Sequence, residues 1–176
     1  MRITPIVIAL GLLPALVTVA ACGSSSAGGA DPAIVAPASR EPAARVTVPA
    51  LSGTGRIAVG FPGTRPTVVN MWASWCGPCR QEMPAVQRFA EGHPGVRVIG
   101  VAVNDQMDDA RAFAKEVGVT FPLGVDADGK VADAYAVGGL PTTVVLDRQG
   151  RLAATWPGPV TGSDLARLTS AVAARD

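Results

Sequence analysis

Asn70-Met71-Trp72-Ala73-Ser74-Trp75-Cys76-Gly77-Pro78-Cys79 (residues 70–79) holds two of the three cysteines of a 176-residue chain, spaced three positions apart. The run leading into it, Thr67 to Trp72, is apolar and rich in β-branched residues, which predicts a buried strand ending just ahead of the first thiol. Beyond Pro78, Met83, Val86 and Ala90 recur at helical spacing with Phe89 beside them, until Gly92 and Pro94 stop the pattern. Pro84 falls inside this helix and predicts a kink. The two thiols therefore mark a strand-to-helix junction.

Outward from the junction, strands alternate with helices. Val96 to Val103 is the most continuously apolar segment and reads as a central strand covered on both faces. Asp108 is the expected N-cap of a helix presenting Ala110, Phe113, Ala114 and Val117, closed by Gly118. A short strand near Phe121 to Val125, a helix near Val131 to Ala136 and a strand from Thr142 to Leu146 follow. Asp147-Arg148-Gln149-Gly150 is turn chemistry leading into Arg151 to Trp156, a closing antiparallel hairpin. Leu165, Leu168 and Val172 mark a last amphipathic helix starting near Ser163 or Asp164. This order predicts an α/β sandwich around a mixed sheet. Met71, Phe113, Trp72 and Trp156 read as packing residues.

The ends of the chain set its compartment. Residues 1–21 carry one charge, Arg2, then an apolar run from Ile3 to Val19 broken by Pro5, Gly11 and Pro14. This reads as a signal segment. Val19-Ala20-Ala21-Cys22 resembles the lipobox of bacterial lipoproteins, in which the cysteine takes a diacylglycerol; an uncleaved membrane anchor is the alternative. Residues 22–42, poor in hydrophobic periodicity and rich in Gly, Ser, Pro and Ala, read as a lipidated flexible linker. Residues 43–176 then form one domain, placed at the outer face of the cytoplasmic membrane. Losing Arg2 from 15 basic residues leaves 14 against 14 acidic ones, which gives no reason to expect a nucleic-acid partner. Lipidation of Cys22 leaves Cys76 and Cys79 as the only free thiols, each the other's only partner.

From about residue 43 to 174 the chain resembles the thioredoxin superfamily, and within it the extracytoplasmic TlpA/ResA-type thiol-disulfide oxidoreductases. The resemblance is carried by residues 70–79 and by Gly139-Leu140-Pro141-Thr142 far downstream. It implies a thioredoxin-like three-layer sandwich with a central mixed sheet, and an extra strand-helix insert in residues 104–125. It also implies a cis-proline at Pro141 beside the cysteines, where the Leu140 main chain meets a substrate strand. Asn70 stands where thioredoxin keeps a buried aspartate as proton acceptor. Glu82, three residues after Cys79, matches the acidic residue that ResA-like proteins keep near their thiols, and is nominated for proton transfer.

The chemistry fits these residue types. Disulfide exchange needs a thiolate, and a helix N-terminus with its unpaired N–H groups favours one, which makes Cys76 the expected nucleophile. Cys79 lies within disulfide reach and resolves the mixed disulfide formed with a substrate. Gly77 permits close approach, Pro78 suits a first helical turn, and Trp75 offers an exposed apolar rim. No metal or other cofactor is expected. The expected partners are protein thiols or disulfides outside the cytoplasm and a membrane redox partner, with the lipid anchor holding the domain at the membrane. The reaction runs either as a reductase, for instance on the haem-attachment cysteines of apocytochrome c, or as an oxidase forming disulfides in secreted proteins.

Other readings are weaker. A structural zinc site needs about four ligands, and His93 alone could join the pair. A purely structural disulfide would close a very small loop. A Cu(I)-delivery module of related fold would show a wider cysteine spacing and a downstream histidine, and a peroxiredoxin-like peroxidase a threonine where Ala73 stands. Asp126-Ala127-Asp128-Gly129 reads as a turn, since its glycine comes too early for a calcium loop, and His93 as a solvated loop residue.

Overall fold

The computed structural model describes residues 34–174. The expected signal segment, the lipidation site Cys22 and most of the expected linker lie outside the described residues. Among the described residues no helix is long and apolar enough to cross a membrane.

Five strands form the main sheet: β3 (Thr67–Trp72), β4 (Arg97–Val103), β5 (Leu123–Asp126), β6 (Thr142–Leu146) and β7 (Leu152–Pro157), in the order β5-β4-β3-β6-β7. β3, β4 and β5 run parallel, while β6 and β7 are antiparallel to their neighbours. Every residue of β3 is buried, as expected of a central strand covered on both sides. Alternation divides it. Val68 and Trp72 enter a core with Val86 and Phe89 of helix α1 (Gly77–Gly92), Phe113 of α2 (Met107–Val117) and Leu165 and Leu168 of α4 (Gly162–Ala173). Val69 and Met71 face a second core with Val48, Val59 and Val131. The result is the expected three-layer thioredoxin-like sandwich, with α2 and β5 in the segment assigned to the insert.

The second core is closed by a feature the sequence reading did not include. β1 (Val46–Pro49) and β2 (Arg56–Val59) form a separate antiparallel hairpin, and with α3 (Lys130–Ala134) they cover the outer face of the sheet. Where β2 ends, Gly60 passes so close to Ala44 that a Cβ would lie 2.0 Å from its carbonyl oxygen, at a φ of +81° that disfavours other residues.

Three expectations shift. α2 begins at Met107, with Gln106 in the N-cap position, because Asp108 already lies in the first turn, paired with Arg111. α4 begins at Gly162: Thr161 is the N-cap, and Asp164 completes a capping box. Residues ahead of 43, read as linker, also bond to the sheet. Val35 N–H donates to Ala153 O at 2.8 Å, Leu152 N–H to Glu41 O at 2.9 Å, and Arg40 is buried in an ion pair with Asp147 Oδ2 at 3.3 Å. Residues 34–42 thus cover part of the β7 edge, and the buried Arg40 charge is paired with a carboxylate. Helix α1 runs on through Pro84.

The close approach at Gly60 yields a stability test. Gly60→Ala should lower the unfolding free energy by roughly 2–4 kcal/mol, since a backbone carbonyl cannot yield as a side chain would. Gly95→Ala, where an added Cβ meets nothing within 4 Å, should change it by less than about 0.5 kcal/mol. Urea unfolding of both variants makes the comparison.

Candidate active site

β3 ends at Trp72, and within four residues the chain turns and starts α1. The Cys76 N–H donates to Ala73 O at 3.1 Å, closing the turn, and Cys76 is itself the N-cap of the helix. The Cys79 N–H donates to Cys76 Sγ at 3.2 Å, so the sulfur sits on the unpaired amides of the first turn. Gly77 and Pro78 occupy the first two helical positions, where the missing proline N–H costs no hydrogen bond. The two cysteines form a disulfide, with an S–S distance of 1.99 Å and Cα atoms 5.3 Å apart.

The pair is asymmetric. Cys79 is 0% exposed and Cys76 5%. Around Cys76, Trp75 is 64% exposed and Gly77 and Pro78 lie at the surface. Of the two cysteines only Cys76 keeps any exposed surface, beside a rim formed by these three residues. Trp75 donates its indole N–H to Asn104 O at 3.3 Å.

One turn along α1 from Cys79, Glu82 is buried at 4% exposure. Its Oε1 accepts from Asn70 Nδ2 at 2.7 Å and its Oε2 from the Val160 N–H at 2.7 Å. Burial pushes its pKa above the ordinary 4.5, and the two hydrogen bonds oppose that shift. Asn70 Nδ2 also donates to Thr143 Oγ1 at 3.1 Å, while its Oδ1 has no hydrogen-bond partner among the described residues. The position where thioredoxin keeps an aspartate therefore holds an amide that orients the carboxylate of another element.

Leu140 and Pro141 precede β6 directly. Since Met71 pairs with Thr142, they lie at the end of the sheet from which the cysteine turn departs. Their peptide bond is cis. Pro141 is buried, with its carbonyl accepting from the Gly158 N–H at 2.9 Å, and Leu140 is half-buried against both cores. They line a cleft of about 360 Å³ with Tyr135, Gly139, Thr155 and Pro157. A larger cleft of about 850 Å³, between α2 and the segment around Leu51, contains none of the site residues.

Two further acids were not singled out from sequence. Asp105 is buried at 3% exposure and accepts from Ser74, two residues before Cys76. Glu116 binds Arg80 of α1 through both oxygens at 2.7 and 2.8 Å, and the Arg80 guanidinium lies 4.5 Å from the Phe113 ring centre. An aspartate just past an apolar strand was the available signal for Asp105. His93, the C-cap of α1, is exposed, and its ring stacks on Phe89. Asp126-Ala127-Asp128-Gly129 is a turn in which Asp126 Oδ2 accepts from the Val131 and Ala132 N–H groups.

Known proteins resemble this chain. The thiol-disulfide oxidoreductase ResA of Geobacillus thermodenitrificans is 34% identical over 99 residues, covering 55% of this chain and 57% of that protein. The thiol:disulfide interchange protein HelX of Rhodobacter capsulatus is 38% identical over 95 residues, covering 53% of each. The chain thus spans a little over half the length of these curated relatives. Among solved structures, a DsbF homologue from Corynebacterium diphtheriae superposes with a TM-score of 0.73 at 29% identity, covering 83% of this chain and 96% of that one. The AhpC/TSA family model matches residues 40–155, from the buried Arg40 to the last strand and across the whole cysteine junction, and the chain belongs to that thioredoxin-like family.

Proposed function

We propose that this protein is an extracytoplasmic thiol-disulfide oxidoreductase that reduces protein disulfides through Cys76 and Cys79, held at the outer face of the cytoplasmic membrane by lipid on Cys22. The observation that carries the reading is the asymmetric cysteine pair at the N-terminus of α1, Cys76 5% exposed beside a surface rim and Cys79 fully buried. The likeness to relatives named as thiol-disulfide oxidoreductase and thiol:disulfide interchange protein supports it.

In the reduced protein the Cys76 thiolate attacks one sulfur of a substrate disulfide, and the first substrate sulfur leaves and takes up a proton. Cys79 then gives its proton to Glu82, attacks Cys76 Sγ and releases the second substrate thiolate, which is protonated in turn. The substrate gains two electrons and two protons, and the protein ends as the disulfide seen here. A membrane-side dithiol must reduce it again. The rim of Trp75, Gly77 and Pro78 receives the substrate chain, and the Leu140 main chain meets it beside the disulfide. The haem-attachment cysteines of apocytochrome c are the proposed target class.

Limiting iodoacetamide on the reduced protein should label Cys76 well before Cys79, because only the first reaches solvent and sits on the open helix terminus. Peptide mapping reads the order, and prior labelling of Cys79 contradicts the assignment.

Glu82→Gln should slow the Cys79 step on the order of a hundredfold while leaving formation of the mixed disulfide nearly unchanged. The same variant reports on stability. Burial makes folded Glu82 hold its proton more tightly than the unfolded chain does, so its contribution favours folding at low pH and fades as the pH rises from 4.5 through the raised folded value. Parent stability should therefore fall across that window more steeply than that of the variant, as read by urea unfolding at a series of pH values.

A further inference from the structure

The loop after β4 grips the chain just ahead of the nucleophile. Asp105 Oδ2 accepts the Ser74 N–H at 2.6 Å, and its Oδ1 accepts the Ser74 hydroxyl at 2.8 Å and the Gln106 N–H at 2.8 Å. Hydrogen bonds to an ionised carboxylate are among the stronger ones, and these are shielded from water by the 3% exposure of the residue. The preceding residue adds a third tie, since the Asn104 carbonyl accepts the Trp75 indole N–H. Asn104 takes a left-handed φ of 49°, which asparagine tolerates better than most residues, and its own N–H donates to Asp126 O at 2.9 Å on β5. Ser74 and Trp75 are thus tied to the sheet through residues 31 and 29 positions away.

The nucleophile itself is held differently. Cys76 is fixed by the turn to Ala73 and by its place as N-cap of α1. What Asp105 holds is Ser74, the residue that leads into the exposed Trp75 beside the sulfur. On the reading of the protein as a disulfide oxidoreductase, we infer that Asp105 is a positioning residue that presents Trp75 to protein substrates and so sets selectivity for them over small disulfides. A protein disulfide must settle on the Trp75 rim, whereas a small disulfide needs only the sulfur. Rim aromatics held in one orientation lose less entropy on docking.

The test uses the full chain with Asp105→Ala, Asp105→Asn, Ser74→Ala and the Ser74→Ala/Asp105→Ala pair. Two substrates are compared, insulin as the protein disulfide and DTNB as the small one. Asp105→Ala should raise KM for insulin about tenfold while kcat and the DTNB rate stay within about twofold, the pattern of lost docking with intact chemistry. Asp105→Asn keeps an acceptor for Ser74 and should fall between parent and Asp105→Ala. With Ser74 already replaced, loss of Asp105 should cost less than it does alone, as expected of partners in one network. Acrylamide should quench Trp fluorescence more readily in Asp105→Ala as the indole is released.

An Asp105→Ala protein with the parent's insulin KM overturns the inference, as does an equal loss on insulin and DTNB in both Asp105 variants, which marks a purely structural role. A parent active on neither substrate overturns the functional reading and this inference with it. An active parent with indifferent variants overturns this inference alone.

Discussion

The structure turns on the side chain of Cys76 capping helix α1. A helix start leaves N–H groups without partners, and here a sulfur takes up one of them at the point where β3 has delivered the chain to the edge of the core. Everything nearby follows from keeping that junction in place. β3 must be fully buried to fix the starting point, Gly77 and Pro78 must allow the helix to begin at once, and the apolar face of α1 must pack on the sheet so that the helix end cannot drift. A free cysteine on a loop would have neither the amides nor the fixed direction of approach.

Two buried carboxylates lie near the junction. Glu82 lies on α1 three residues after Cys79 and is tied to Asn70 on β3 and to the main chain at Val160. Asp105 lies beside the turn, with all of its bonds going to neutral N–H and O–H donors of the active loop and of its own segment. Their neighbours suit different work. Desolvation raises the proton affinity of Glu82, which suits a group that exchanges protons on the proposed pathway. The hydrogen bonds of Asp105 fix backbone and side chain of a single residue, which suits a group that holds shape.

Much of this was legible because the signals were local. The β3–α1 junction, the apolar run of β4 and the Gly-Leu-Pro-Thr before β6 each carry their meaning within about ten residues, and each was placed correctly. The Glu82 nomination came from resemblance, and the structure supplies its partners. What escaped the reading depends on separation in sequence. Asp105 matters because of Ser74, 31 positions away, and Arg40 because of Asp147, 107 away, while Asn70 was read without its Thr143 partner, 73 away. No periodicity reports such pairs. The β1–β2 hairpin was missed for another reason: its strands are four residues each, too short for alternation to stand out, although Gly53 and Gly55 punctuate the turn between them. The Pro- and Ala-rich stretch before residue 43 reads as linker by composition, yet backbone pairing to β7 needs no particular side chains.

The central claim is that Cys76 and Cys79 form a reducing two-electron couple, and a redox titration tests it most directly. The full chain would be equilibrated in graded dithiothreitol buffers, quenched with an alkylating agent, and the thiol and disulfide forms counted by mass. The account predicts a single two-electron transition with a midpoint nearer the roughly −270 mV of thioredoxin than the roughly −120 mV of DsbA. A midpoint at the DsbA end, or a pair that stays oxidised throughout, would contradict it.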